Sequence, residues 1–322
     1  MEKLNIGVIG LGAIGQKHCS ALAVLERANL CAVADVNANV LSTTAAQYAA
    51  APYSTTEELL NHPGLDAVVI ATPDDLHREA CVLAAQHGKH ILVEKPLATT
   101  IEDSQAIITA AEIAGVKLMV GFTLRFSLHY QQARKAVNDG MLGTLVSIFA
   151  RRQNVISQPD RLKGRCGVLM FLGPHDFDVM RWIVGSEPVS IYSQAATSVP
   201  SAYPIENETF TTIKFANGVV GCAQIGWYLQ DKHPAGKDFK LDIVGDKGSL
   251  NLDQMRQGLE IYTATGAKFP SVSAGLVDED RAFVDCILDN KPVPVTGRDG
   301  LAAVNMVLAA MKSIETGQPV NL

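Results

Sequence analysis

Residues 5–15 read NIGVIGLGAIG, a short apolar run that ends directly in three spaced glycines, Gly10, Gly12 and Gly15. Few folds accept that order: a buried strand must turn sharply into a helix whose first N–H groups are left open. In this reading Gly10 permits the tight turn, and Gly12 lets the backbone approach a pyrophosphate. Gly15 lets the helix lie close on the sheet, while the helix start at Ala13 and Ile14 turns free N–H groups toward the anion. Asp35 ends a second apolar run 20 residues beyond Gly15, where a carboxylate can accept both ribose hydroxyls of an adenosine. The same carboxylate repels a 2′-phosphate, and DVNANV (35–40) offers no Lys or Arg to counter it, so NAD is expected over NADP. A glycine-rich turn without a ligand is the other reading, and it leaves the register of strand, helix and acid unexplained.

The same pattern continues. LCAVAD (30–35), AVVIATP (67–73), HILVEKP (90–96) and KLMVGF (117–122) are further continuous apolar runs of the kind buried on both faces of a parallel sheet. Helix-forming stretches at 14–25, 38–50, 76–87 and 101–114 lie between them, with Gly88 and Gly115 where C-terminal caps belong. Alternation of this kind predicts an α/β fold with a doubly wound parallel sheet.

With 322 residues the chain has length for two domains, each with its own core. No apolar run approaches the roughly 18 residues that would span a bilayer, and MEKLNIGVIG lacks a secretory cleavage site. No membrane association and a cytoplasmic location are therefore expected. A net charge of −6, spread along the chain, gives no general attraction to a phosphate backbone, so nucleic acid is not an expected partner. The six cysteines lie far apart with no C-x-x-C pair, which argues against a disulfide framework or structural zinc.

VEKPLATT (93–100) carries Glu94, Lys95 and Pro96 out of the strand at the sheet edge where ligands of open α/β sheets bind. Pro96 ends the ladder for want of an N–H, biases Lys95 toward extended backbone, and makes a cis peptide accessible that would turn the lysine inward. A salt-bridged or solvated surface lysine is the competing reading.

Six segments, in order and spread over nearly the whole chain, carry a resemblance: GLGAIG, ATPDDLH (71–77), GKHILVEKPLA (88–98), VGFTLRF (120–126), PHDFDVMRW (174–182) and GDKGSL (245–250). Together they resemble the glucose-fructose oxidoreductase, inositol dehydrogenase and rhizopine-catabolism (Gfo/Idh/MocA) oxidoreductase family, with EKP after a strand as the most specific element. The resemblance implies an N-terminal Rossmann domain, 1–122, and a C-terminal α/β domain, 123–322, with a large, mostly antiparallel sheet for substrate binding and oligomerisation. It implies NAD(P)-linked oxidation or reduction of sugars and polyols, Lys95 and His175 in the active site, and Thr72, Pro73, His77 and Glu94 along the cofactor.

Beyond Phe122 the residues themselves change pattern. Alternation on either side of Asn217-Gly218 and around 245–247 predicts antiparallel hairpins. One face of such a sheet is free for a second subunit, so a homodimer or homotetramer is expected. Leu301, Val304, Leu308 and Met311 form a helical stripe expected to pack in a core. GPHDFDVMRWIVG (173–185) reads as a turn running into a helix, with His175 near its N-terminus and Asp178 in a capping or structural role. Residue types one and three apart do not converge on one ion, so no metal is expected there. His175 is either a satisfied core histidine or a general acid/base.

Two positions depart from the family pattern. Inositol dehydrogenase-like members carry an aspartate where this chain has Phe171, and a tyrosine where it has Gly275. Phe171 adds desolvation that, with the positive nicotinamide ring, would favour a neutral Lys95 able to accept a proton. Arg125 and Arg152 are read either as shaping the substrate site, with Phe171, or as partners of structural carboxylates. The basic segment 151–167, with Arg151, Arg152, Arg161, Lys163 and Arg165, is either a carboxylate clamp for a sugar acid or a solvated loop. The expected function is NAD-dependent oxidation of a secondary alcohol of a sugar, polyol or sugar acid. A catalytically degenerate NAD-binding sensor, and an enzyme that keeps NAD as a prosthetic group for a non-redox reaction, are the alternatives.

Overall fold

Apolar strands flanked by helices build the first sheet. The computed structural model describes residues 2–196, 202–253, 258–263, 266–268 and 275–322. Among them β1 (Leu4–Ile9), β2 (Ala28–Ala34), β3 (Ala51–Tyr53), β4 (Ala67–Ile70), β5 (His90–Glu94) and β6 (Leu118–Gly121) form a sheet in the order β3-β2-β1-β4-β5-β6. Every pairing in it is parallel. This is the doubly wound order whose reversal, between β1 and β4, opens the ligand crevice at the carboxyl ends of the strands. The central residues Ile6, Val8, Val68, Val69, Ile91 and Val93 are fully buried, as continuous apolar runs require.

Helices α1 (Ala13–Ala23), α2 (Ala38–Tyr48), α3 (Thr56–Leu60), α4 (His77–Gln86) and α5 (Ile101–Ala114) cover this sheet. Side chains fix their ends. Asn37 caps α2, Thr55 and Glu58 make a reciprocal capping box on α3, Thr100 caps α5, and Gly115 closes α5 in the left-handed conformation. The short β3 has no counterpart in the sequence reading, because three residues that include Pro52 carry no periodicity.

The chain divides into two compact units, Met1–Phe126 with Ala274–Leu301 and Ser127–Ser273 with Ala302–Leu322. The first crossing falls four residues beyond the end of the expected first domain. The return of 274–301 to the first unit is absent from a division into two continuous spans. It brings α9 (Leu276–Leu288) against α1.

The second unit begins with α6 (Leu128–Asn138) and contains β7 (Leu145–Val155), α7 (Gln158–Arg161), α8 (Val168–Val184), β8 (Pro188–Ala195), β9 (Glu208–Phe215) and β10 (Val220–Leu229). It continues with β11 (Lys237–Gly245), β12 (Gly248–Asp253), β13 (Gly258–Thr263), β14 (Gly266–Lys268) and β15 (Val320–Asn321). Among the described residues the sheet order is β14-β13-β12-β11-β7-β10-β9-β8-β15, antiparallel except between β7 and β10. Strand β9 shows the alternation expected of a sheet covered on one face: Thr209, Thr211, Ile213 and Phe215 are buried, and Phe210, Thr212 and Lys214 are exposed. Helix α8 lies against β7 and β10 on the buried face.

Helix α10 (Gly297–Thr316) corrects the expected stripe. Val304 is buried, Leu301 and Leu308 are only partly so, and Met311 is 37% exposed. The buried face runs through Ala303, Met306, Val307 and Ala310. Counting large residues alone misplaces the face, because alanines allow close approach and take it.

Candidate active site

The glycine turn has the predicted geometry. Gly10 has φ +89°, and a Cβ there would lie 2.7 Å from the Ala71 carbonyl. A Cβ on Gly15 would meet the Gly10 carbonyl oxygen at 1.9 Å, so only glycine lets α1 start this close to the loop. Gly12 differs from both: a Cβ there would meet nothing within 4 Å. Gly12 is also the N-cap of α1 and provides no side-chain cap, so the first-turn N–H groups at Ala13 and Ile14 stay available to an anion.

Beside this loop lies a cavity of about 420 Å³ lined by residues including Gly10, Asp35, Thr72 and Pro73. The Asp35 carboxylate accepts the N–H of Leu11 through Oδ2 and that of Asn37 through Oδ1, both at 2.7 Å. Each oxygen keeps a second lone pair for a ribose hydroxyl. Glu57 and Glu79 also line the cavity, and no Lys or Arg does, so a 2′-phosphate would meet acids there with no cation to offset them. The Thr72 hydroxyl is buried without a hydrogen-bond partner in the protein, a polar atom left for a ligand. The space over Gly12, the open helix start, Asp35 and Thr72 fit a dinucleotide.

His77 does not line this cavity. Its ring is buried, with Nδ1 2.8 Å from the Pro96 carbonyl and Nε2 3.1 Å from the Thr72 carbonyl, so it ties the loop after β4 to the loop after β5. Burial pushes its pKa below the ordinary histidine value.

Strand β5 delivers Glu94, Lys95 and Pro96 at its carboxyl end, and the Lys95–Pro96 bond is cis. Lys95 is half-exposed, and its backbone N–H donates to Glu94 Oε2 at 3.0 Å. The other oxygen of Glu94 faces His18 Nε2 at 3.1 Å, and His18 Nδ1 faces Asp280 Oδ1 at 2.8 Å. Burial disfavours the charged form of Glu94, but hydrogen bonding and attraction to His18 outweigh it and leave its pKa below the ordinary value. Burial likewise opposes the charged His18, and Asp280 with Glu94 overcomes it, so the imidazole pKa lies well above 6.5. Sequence reasoning missed His18 and Asp280: the two are 262 residues apart, and a single histidine on a helix carries no signal of its partner.

Arg125, in the turn Thr123–Phe126, is nearly buried and pairs with Asp299 at 3.1 Å. That is the carboxylate pairing left open in the sequence.

In the second unit, α8 begins at Val168, seven residues before His175. His175 therefore lies inside the helix rather than near its N-terminus, and Asp178, buried in the helix interior, is not its N-cap, a place that Gly167 takes. Pro174 is accommodated within α8 because the preceding turns bury Val168, Leu169, Met170 and Leu172. Phe171 and His175 are the partly exposed positions in an otherwise buried stretch from 168 to 180, and they stand one turn apart on one face. The Phe171 ring lies 6.3 Å from that of Trp227.

Arg152 is buried and bidentate with Asp176, its Nε donating to Oδ2 at 2.5 Å and its Nη2 to Oδ1 at 3.2 Å, with the guanidinium 4.2 Å from the Phe239 ring centroid. Tyr130 bonds to the same guanidinium, and burial pushes its phenol up to about 12. Arg152 thus joins β7 to α8 beside His175. Arg151 pairs with Asp238, while Arg161, Lys163 and Arg165 are exposed.

The fold and the glycine turn define a dinucleotide-binding oxidoreductase. Residues 4–122 match the oxidoreductase family with an NAD-binding Rossmann fold, and residues 130–251 match the GFO/IDH/MocA C-terminal domain. Together these matches cover more than half of the chain, which belongs to the Gfo/Idh/MocA oxidoreductase family. Inositol 2-dehydrogenase of Rhizobium meliloti is 28% identical over 99% of both chains. The scyllo-inositol 2-dehydrogenase (NAD(+)) of Bacillus subtilis is 28% identical over 100% of this chain and 97% of its own. GenD2 from gentamicin A biosynthesis, solved in complex with NAD, superposes with a TM-score of 0.89 at 27% identity, over 100% of this chain and 97% of its own. No helix among the described residues is long and apolar enough to cross a membrane.

Proposed function

We propose that the protein is an NAD-dependent dehydrogenase that oxidises a secondary alcohol of a polyol or sugar. The observation that carries this reading is Lys95, held by Glu94 at the carboxyl end of β5 in the same unit as the Gly10–Gly15 turn. Its relatives named inositol 2-dehydrogenase support the polyol class. Bound NAD supplies the hydride acceptor. Lys95 and His175 are the groups we assign to the substrate hydroxyl, one taking its proton and the other orienting it. Phe171 gives His175 an apolar neighbour, which suits a ligand with a carbon ring.

The outward face of the second sheet exposes Phe210, Val220, Val244 and Tyr262. We assign this face to a second copy of the chain. The six free cysteines fit a reducing compartment, the cytoplasm.

The test is incubation with NAD and a panel of inositols, hexoses and uronates, followed by NADH absorbance, and repeated with Lys95→Ala. NADH from the wild type and its loss in the variant support the reading. NAD binding without NADH from any member of the panel overturns it in favour of a sensor, and product change without net NADH overturns it in favour of a prosthetic role for NAD.

A further inference from the structure

Behind Lys95 lies a set of ionisable groups that the chemistry above does not use. His18 on α1, Glu94 at the end of β5, and Glu279 and Asp280 on α9 are all buried within the first unit. Thr123 donates to Glu279 Oε1 at 3.4 Å. Glu279 Oε2 and Asp280 Oδ2 are buried with no hydrogen-bond partner in the protein. One ligand atom each from His18, Glu279 and Asp280 lies within 4.8 Å of the others.

Geometry and charge together point to the protonation. With Glu94 and Asp280 ionised, each accepts from one ring nitrogen and the ring is an imidazolium, the form that these two acids favour over the cost of burial. Three carboxyl groups against that one cation cannot all ionise out of water. Asp280 and Glu94 are the two whose oxygens face the imidazole nitrogens, so the remaining proton is assigned to Glu279, whose Oε2 has no hydrogen-bond partner in the protein. The direction of titration agrees: burial first, then repulsion by Glu94, raises the Glu279 pKa well above 4.5, whereas at Asp280, which burial also raises, attraction and hydrogen bonding to His18 work against the rise. Among the other groups nearby, burial pushes the Cys19 thiol up to about 12, so it stays neutral. The His77 imidazole faces backbone carbonyls.

We propose that Asp280 and His18 form a sealed ion-paired relay that fixes the Glu94 carboxylate against Lys95, making the two of them positioning residues for the lysine, with Glu279 held beside them as a neutral acid. This rests on the reading that Lys95 serves the reaction. The relay works through charge. Asp280 keeps His18 cationic, His18 keeps Glu94 anionic, and the Glu94 anion favours the ammonium form of Lys95. A cation in place of the proton would need the His18 nitrogens that Glu94 and Asp280 occupy.

The experiment reads Lys95 without turnover, in the full-length protein. Competitive labelling with acetic anhydride across pH, quantified by mass spectrometry, gives the titration midpoint of the Lys95 amine. Asp280→Asn is expected to lower the midpoint by about one unit, a tenfold faster labelling at fixed pH below it. Glu279→Gln, an amide in place of a neutral acid, is expected to leave the midpoint in place while removing the infrared C=O band of a protonated carboxyl. Retained NAD binding checks that each variant is folded. Should Asp280→Asn leave Lys95 unmoved, should Glu279→Gln move it as far, or should the purified protein carry a stoichiometric metal ion, the proposal is overturned. Absence of NADH in the substrate panel defeats the enzymatic reading instead, and leaves the labelling result standing by itself.

Discussion

Phe171 and His175 stand one helical turn apart on the partly exposed face of α8, so the side chain at 171 sets the field at the imidazole. Phe171→Asp would place a carboxylate there. A nearby anion favours the imidazolium, so the variant is expected to raise the acid-limb midpoint of the kcat/KM pH profile by on the order of one unit. An unchanged limb would show that His175 is not the group titrating in turnover.

Two of the three glycines of the turn, Gly12 and Gly15, separate binding from folding. Gly12→Ala meets open space, so thermal stability should hold while the Kd for NAD rises at least about tenfold, because the backbone is the surface the pyrophosphate approaches. Gly15→Ala drives a Cβ into the Gly10 carbonyl and should cost about 1–3 kcal/mol in urea unfolding. Calorimetric titration with NAD beside denaturation of both variants distinguishes the two effects.

Arg152 and Asp176 are both buried, so removing one strands the other. Asp176→Asn or Arg152→Met is each expected to cost about 3–5 kcal/mol in denaturant unfolding. Replacing both with apolar residues of similar volume should recover much of that loss. If either single variant is neutral, the pair does not join β7 to α8.

Stability should fall as pH rises. His18 has a folded pKa well above its ordinary 6.5, so its contribution is fully present below about pH 6.5 and lost as pH climbs through the folded value. Glu279 acts in the same sense from about pH 4.5 upward, since its folded pKa is also raised. Glu94, with a lowered pKa, contributes above its ordinary 4.5 and loses that contribution only on acidification through its folded value. Thermal melts should show a falling midpoint from neutral to alkaline pH, and Glu279→Gln should flatten the slope.

Phe210 and Val220 are each about half exposed on the outward sheet face. Phe210→Glu with Val220→Lys is expected to shift the protein to monomers in light-scattering chromatography, with its far-UV circular dichroism intact. A wild type that is already monomeric would remove this face from consideration as an interface.

Much of the first unit is legible in the chain because each of its signals is local. The glycine turn, Asp35 and the strand into Lys95 are read from a few consecutive residues, and the parallel strands from their unbroken apolar runs. The hairpin at Asn217-Gly218 is equally local, since two residues decide the turn. What escaped was non-local or masked by a competing signal. Gly173-Pro174 looks like a helix start, but burial of the residues before it carries α8 straight through. Arg125 and Arg152 are indistinguishable in sequence from substrate ligands, because Asp299 and Asp176 reach them only through the tertiary fold. His18 and Asp280 are invisible to any window shorter than nearly the whole chain.

The return of α9 to the first unit has a practical corollary for anyone cutting or grafting this molecule. Arg27 finds Asp285 on that helix and Asp289 at its C-cap, just as His18 finds Asp280. A fragment ending at Phe126 would strip His18 of its Asp280 partner and uncover the face of α1 on which α9 packs. The nucleotide half is therefore not a detachable N-terminal module, and a chimera inherits a working one only if the donor also contributes residues 274–301.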